Sequence, residues 1–309
     1  MFKKLVIIEK INMLDEDLKR LDNLAKEVIY YKDIPSNNEE IIKRIADADC
    51  ALLSYTSKID REVIGKAPNL KYIGMCCSLY SPESANVDIL AANAKGISVR
   101  GIRDYGDEGV VEFIIYELVK FLEDYDNKHL WSDFPQEISK LKCSVIGLGT
   151  SGTLIAKALK FFGADVSYYS RTRKPNVEKE LGIEYKSLNE CVKESDAIFL
   201  ALNKNVLLLD EEQFNLMKGK KILFNTSIGP GFNTKALAKW LTDKNHFFFG
   251  DTLPTIGDED LWKLDNTFTI NRSSGGKSYS AYKRLGDKVI KNMEGYSSLV
   301  KNKNFKKNI

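Results

Sequence analysis

Apolar residues follow two rhythms along this chain. Blocks of four or five, such as Leu5, Val6, Ile7 and Ile8, are bounded by charge or turn residues, as in strands buried on both faces. Between these blocks apolar positions recur every three to four residues, the spacing of one helix face. In the first hundred residues they predict strands over 5–8, 28–31, 51–55, 72–75 and 97–99, separated by helices over 14–25, 38–46 and 87–94. This alternation is the βαβ rhythm of a parallel sheet. Val110, Val111, Ile114, Ile115, Leu118 and Leu122 share one broad face and predict a long helix over 108–123. A polar connector, 124–140, precedes further strands over 143–146, 164–169, 197–202, 222–226, 247–251 and 267–271, and a last helix over 278–297.

The strand over 143–146 runs straight into Gly147-Leu148-Gly149-Thr150-Ser151-Gly152, and helical spacing begins at Leu154. Strand, G-x-G-x-x-G, helix and second strand in that order form a dinucleotide-binding fingerprint. Gly147 permits the tight turn, Gly149 lets a pyrophosphate approach the backbone, and Gly152 lets helix and strand pack closely. Thr150 and Ser151 stand at the helix N-terminus that faces the phosphates. An NAD site places a carboxylate on the ribose 2′-hydroxyl at the end of the second strand. That strand instead ends in Ser170-Arg171-Thr172-Arg173. Ser170 and Thr172 can donate to a 2′-phosphate, and Arg171 or Arg173 can pair with it and stack on adenine. NADP is the expected cofactor, with NAD the second choice.

Composition narrows the picture. A chain of 309 residues accommodates two domains, and 43% hydrophobic with 29% charged residues describes filled globular cores. Net charge is +3, with much of the basic excess in the tail from residue 301, which reads as a solvated end. Neither a nucleic-acid module signature nor an apolar run of the roughly 18 residues needed to cross a membrane occurs. The four apolar residues before Glu9 are too few for a signal peptide. Cys50, Cys76, Cys77, Cys143 and Cys191 are odd in number and form no C-x-x-C pair, so reduced thiols in a cytoplasmic protein are expected. No metal site is expected.

Several further segments carry a resemblance by their order and spacing. They are Ala67-Pro68-Asn69-Leu70-Lys71-Tyr72-Ile73-Gly74, Asn86-Val87-Asp88-Ile89, Val110-Val111-Glu112, Met217-Lys218-Gly219, Phe224-Asn225-Thr226-Ser227-Ile228-Gly229-Pro230, Leu261-Trp262 and Asp265-Asn266. Over nearly its full length the chain resembles the D-isomer-specific 2-hydroxyacid dehydrogenases. The resemblance implies an α/β fold of two doubly wound parallel-sheet domains. A Rossmann nucleotide-binding domain, 105–284, would be inserted into a flavodoxin-like substrate domain of 1–104 plus 285–309. It further implies a homodimer through the helix from Glu108, and cofactor contacts from Asn203, Thr226 and Ser227, with Asp251 at the carboxamide.

The family works with an arginine that grips the substrate carboxylate, a proton-exchanging histidine and a glutamate that holds the histidine. By the resemblance these positions fall on Ile228, Arg272 and Pro254, respectively. Isoleucine and proline offer no side-chain donor or acceptor, and arginine keeps its proton. The chain's two histidines, His129 in the connector and His246 at a strand start, read as surface or structural. The first-domain loop over 74–85 replaces the family's Gly-rich turn and introduces Cys76, Cys77 and Tyr80. Arg103-Asp104-Tyr105-Gly106-Asp107-Glu108 forms a charged crossing between the domains, read as a hinge and helix-cap cluster. Two functions stay open. One is an NAD(P)-dependent oxidoreductase with a rebuilt site, where Arg272 binds an anion and Tyr80 or Cys76 donates the proton. The other is a non-catalytic NADP-binding sensor or scaffold.

Overall fold

The structure, a computed structural model, describes residues 1–203 and 206–307; the side chains of 301–309, and with them the expected solvated tail, lie outside the described residues. The chain divides into two compact units, Met1–Tyr105 with Ser278–Ile309, and Gly106–Lys277.

The first unit runs β1 (Phe2–Ile7), α1 (Asp15–Arg20), β2 (Ala25–Tyr30), α2 (Asn38–Ile45), β3 (Cys50–Leu53), α3 (Arg61–Gly65), β4 (Tyr72–Ser78), α4 (Ile89–Ala94) and β5 (Ser98–Ile102). Its sheet has the order β2-β1-β3-β4-β5 with every pair parallel, the doubly wound flavodoxin-like order. Successive strand residues feed opposite faces, so each apolar block fills two cores. Val6, Ala51, Leu53 and Ile73 pack on one side with Ile41 and Val63; Leu5, Ile7, Leu52 and Tyr72 pack on the other with Leu285, Val289 and Met293. The helix expected over 14–25 is cut short. Phe2 N donates to Leu24 O at 2.8 Å and Ala25 pairs with Phe2, so the chain must already be extended there.

The second unit runs α5 (Asp107–Leu122), β6 (Lys142–Ile146), α6 (Thr150–Phe161), β7 (Asp165–Tyr169), α7 (Pro175–Leu181), β8 (Glu184–Tyr185), α8 (Leu188–Glu194), β9 (Ala197–Leu200), α9 (Glu211–Leu216), β10 (Lys221–Asn225), α10 (Thr234–Trp240), β11 (His246–Gly250), α11 (Leu253–Ile256) and β12 (Thr267–Thr269). Its all-parallel sheet has the order β12-β11-β10-β9-β6-β7-β8, and the winding reverses between β6 and β9. Ligands of such sheets bind beyond the C-terminal strand ends at this switch point.

Helix α12 (Tyr279–Lys307) then completes the first unit. The second crossing falls after Lys277, earlier than the expected break after Arg284. The first turns of α12 are already bound there: Ala281 is buried, Lys283 Nζ lies 2.9 Å from Asp17 Oδ1, and Arg284 Nε donates to Tyr105 O at 2.9 Å. The two ends of the second unit lie side by side. A Cβ on Gly106 would stand 2.2 Å from Gly276 N, and one on Gly109 2.4 Å from Ser274 O, an approach open only to glycine.

Candidate functional site

The turn between β6 and α6 is built from both flanks. Gly147 has φ +100°, its N–H donates to Tyr169 O at 2.8 Å, and a Cβ would stand 2.4 Å from Ala201 O. The turn is thereby pressed against the ends of β7 and β9. A Cβ on Gly152 would stand 1.9 Å from Gly147 O, so α6 sits directly on the turn. At Gly149 the reverse holds, and a side chain would meet no atom within 4 Å. Gly149 caps α6 without a side-chain hydrogen bond, leaving the first N–H groups of a 12-residue helix for an anion. Two filled approaches and one open one fit a dinucleotide pyrophosphate. Ser151 contributes differently from expectation: its hydroxyl donates to the Asp107 carboxylate on α5.

The ribose turn holds one arginine and releases the other. Arg173 Nε and Nη2 donate to Glu178 at 2.9 and 2.8 Å, and the guanidinium lies 5.6 Å from the Tyr185 ring centroid. Glu178 also accepts from Tyr168 Oη at 2.6 Å. The Arg173 and Tyr168 bonds lower the Glu178 carboxyl to about 2. Arg173 is thus a strut of the turn, which corrects its assignment to the 2′-phosphate. Arg171 and Thr172 are exposed, Ser170 is half-buried, and Arg171 has no ion-pair partner among the described residues.

Beyond β9 to β12 lies the edge expected to face the nicotinamide. Asn203 is exposed and Thr226 half-buried. Ser227 is turned inward, where its buried hydroxyl accepts from Leu202 N at 2.9 Å and ties the end of β9 to the loop after β10. Its expected cofactor contact is replaced by this structural one. Sequence reasoning missed Asn225, which is fully buried. It donates to Gly229 O at 3.1 Å and Thr255 O at 2.7 Å and accepts from Ser227 N at 3.1 Å, fastening the loop to α11. Asp251 is buried, and its Oδ2 accepts from Ser274 N at 2.7 Å and Ser274 Oγ at 2.8 Å. Ile228, Pro254 and Arg272 follow the ends of the successive neighbours β10, β11 and β12. Ile228 is 62% exposed, Pro254 lies in the first turn of α11, and Arg272 is exposed, its backbone N donating to Asp251 O at 2.9 Å.

The histidines lie elsewhere. His129 Nδ1 is 3.0 Å from Asp124 Oδ2 in the connector. His246 starts β11, at the strand end opposite Asp251, with its ring stacked 4.2 Å from Trp240 and Nδ1 2.7 Å from Trp240 O.

In the first unit, β4 extends through Ser78 and carries Cys76 and Cys77 into the sheet. Cys76 is 1% exposed, in a core with Leu5 and Tyr72. Burial pushes both thiols up, Cys77 to about 12. Cys76 therefore cannot serve as the expected proton donor. Tyr80 is 42% exposed, and the charged crossing steadies it: Arg103 Nε donates to Leu79 O at 2.6 Å and its guanidinium lies 5.6 Å from the Tyr80 ring. Glu9, also missed, is fully buried and accepts from Ser54 N at 2.8 Å, Ser57 N at 3.1 Å, Ser57 Oγ at 2.7 Å and the Thr56 hydroxyl. Its only sequence signal is a charge abutting an apolar block.

Residues 116–270 match the profile described as D-isomer specific 2-hydroxyacid dehydrogenase, NAD binding domain. The chain belongs to the D-isomer-specific 2-hydroxyacid dehydrogenase family. Among its relatives, the glyoxylate reductase of Pyrococcus furiosus is 29% identical over 92% of this chain and 87% of its own. That of Pyrococcus horikoshii is 30% identical over 85% and 83%. An acyclic imino acid reductase solved with NADPH and D-Arg shares the fold, at 24% identity, 96% and 97% coverage and a TM-score of 0.79. The family's two parallel-sheet α/β domains and its NAD(P)-binding domain are both present. Among the described residues, no helix is long and apolar enough to cross a membrane, and no three side chains are grouped to hold a metal.

Proposed function

We propose that this member of the family is an NADP-preferring oxidoreductase with a rebuilt active site. The observation that carries the reading is the exposed Arg171 beside Ser170, without an ion-pair partner among the described residues, at a turn where an NAD enzyme keeps a carboxylate. Gly147, Gly149, Thr150 and Gly152 take the pyrophosphate, Ser170, Arg171 and Thr172 the 2′-phosphate, and Asn203, Thr226 and Asp251 the nicotinamide side. When bound, the cofactor supplies or accepts a hydride. Arg272 holds an anionic group of a small carbonyl or hydroxy substrate. The imino acid reductase of the same fold was itself solved with NADPH, which accords with the cofactor choice.

Calorimetric titration tests the cofactor. NADP binds more tightly than NAD, and Arg171→Ala costs NADP about 1.5–3 kcal/mol, while NAD is unaffected. Equal or tighter NAD binding refutes the role given to Arg171. Ile228 and Pro254, which bring no functional group to the strand edge, favour the second reading, a non-catalytic NADP-binding sensor or scaffold. NADPH oxidation across a carbonyl panel separates the two. A homodimer through α5 is part of the proposal, supported by Tyr116, 60% exposed on that helix. Sedimentation equilibrium would read twice the 35.0 kDa chain mass.

A further inference from the structure

The carboxylate of Asp107, in the first turn of α5, accepts the Ser151 hydroxyl. Ser151 is the second residue of α6, and both side chains are half-buried. The contact brings a full negative charge to the end of α6 where partial positive charge collects. Gly149 has no side chain to cap that end, and Thr153 N is the first of its N–H groups to reach a helix carbonyl, Gly149 O at 2.9 Å. The N–H groups before it are the ones that take the pyrophosphate. Asp107 and the cofactor therefore present like charge to one helix end. The carboxylate is also held from behind. A Cβ on Gly109 would stand 2.4 Å from Ser274 O, and one on Gly275 would stand 2.9 Å from Val110 Cγ2 and 3.0 Å from Gly106 O. The first turn of α5 thus lies directly on the segment 274–275. Ser274 is bound in turn to the buried Asp251. Helix α5 cannot carry Asp107 away from the glycine turn without breaking these contacts.

We propose that Asp107 is an internal competitor of the cofactor's pyrophosphate and sets how fast the dinucleotide leaves. In the empty protein its carboxylate partly neutralises the N-terminus of α6 and, through Ser151, holds the turn in shape. When a dinucleotide binds, the phosphate charges enter beside it and are repelled. The cofactor is then held less tightly than the open approach at Gly149 and the helix end would allow. The repulsion acts at contact range, so it is felt in dissociation more than in encounter. A cofactor that leaves in one redox state and returns in the other on every cycle exchanges faster for it. The assignment rests on the family's NAD(P)-binding domain and holds for NADP and NAD alike, since both carry the same pyrophosphate.

The test removes the charge and keeps the hydrogen bond. Asp107→Asn retains an oxygen that accepts from Ser151, and Asp107→Ser is a second neutral residue suited to a helix start. In calorimetric titrations of the full chain at low salt, both variants should bind NADP and NAD about 3–10-fold more tightly than wild type, the effect of one charge at a partly buried helix terminus. Stopped-flow displacement, read by the fluorescence of the reduced cofactor, should place the gain in slower dissociation. Salt supplies a readout that a merely structural Asp107 would not move. The gap between wild type and Asp107→Asn should narrow as NaCl rises from about 20 to about 500 mM, because screening shortens the reach of the carboxylate. Affinity unchanged or lowered in both variants overturns the proposal, and so does a gain that ignores salt or lies only in association. If neither wild type nor variant binds a dinucleotide, the proposal falls together with the cofactor site.

Discussion

Gly149 and Gly152 are three residues apart in one loop, yet a methyl group would have opposite consequences at the two sites. At Gly152 it meets Gly147 O at 1.9 Å, and backbone must move. Gly152→Ala should cost about 1–3 kcal/mol of stability, the range for overpacking, and should lower the thermal midpoint. At Gly149 nothing stands within 4 Å. Gly149→Ala should stay within about 1 kcal/mol of wild type, the scale of a helix cap, while calorimetry shows NADP affinity lost. The glycine spacing was readable in the sequence because each glycine answers a backbone demand. Cys76 was misread for an equally physical reason. Cysteine packs as a small hydrophobe, so the apolar block that begins at Tyr72 continues through it, and the sheet runs on to Ser78. All five cysteines are buried and free. With the Cys76 and Cys77 thiols held well above their ordinary range, a thiol reagent at pH 8 should label none of the native chain and all five on unfolding. Rapid labelling of the native protein would place Cys76 or Cys77 outside the core.

The order of the strands was visible in their apolar blocks, because buried parallel strands must be apolar on both faces. What joins the elements was not. Asn225 ends β10 and looks like a strand terminus, but its side chain bonds the loop after β10 to α11 through Gly229 O, Thr255 O and Ser227 N. Asn225→Ala leaves Thr255 O and Ser227 N buried without this partner and Gly229 O half-buried without it, and should cost about 2–4 kcal/mol. Denaturant unfolding would show a lower midpoint with an unchanged m value. A loss below about 0.5 kcal/mol, the size of a neutral surface substitution, would mean the loop is held by other means. Arg173 shows the same limit. Its identity pointed to phosphate, but Glu178, five positions on, lies one helical turn into α7 and captures it. A chain of local side-chain bonds of this kind depends on distances that spacing alone does not reveal.

The architecture of the whole molecule follows from sequence rhythm, whereas the place where the chain leaves the second unit depends on how α12 packs. Lys283 and Arg284 bind Asp17 and Tyr105 far away in sequence, and no periodicity records that. The touching backbones of Gly106 and Gly276 make the nucleotide unit modular. A guest whose entry and exit coincide closes the same small gap in its host whatever its own length, so the host bears little loop entropy for carrying it. Such a unit can be removed, and Gly106–Lys277 expressed alone should bind NADP with the affinity of the full chain. An isolated segment that stays unfolded would show instead that the guest borrows its stability from the host. Coincident ends also make the unit a natural candidate for circular permutation, with its present termini joined by a few glycines and new ones opened in an exposed turn.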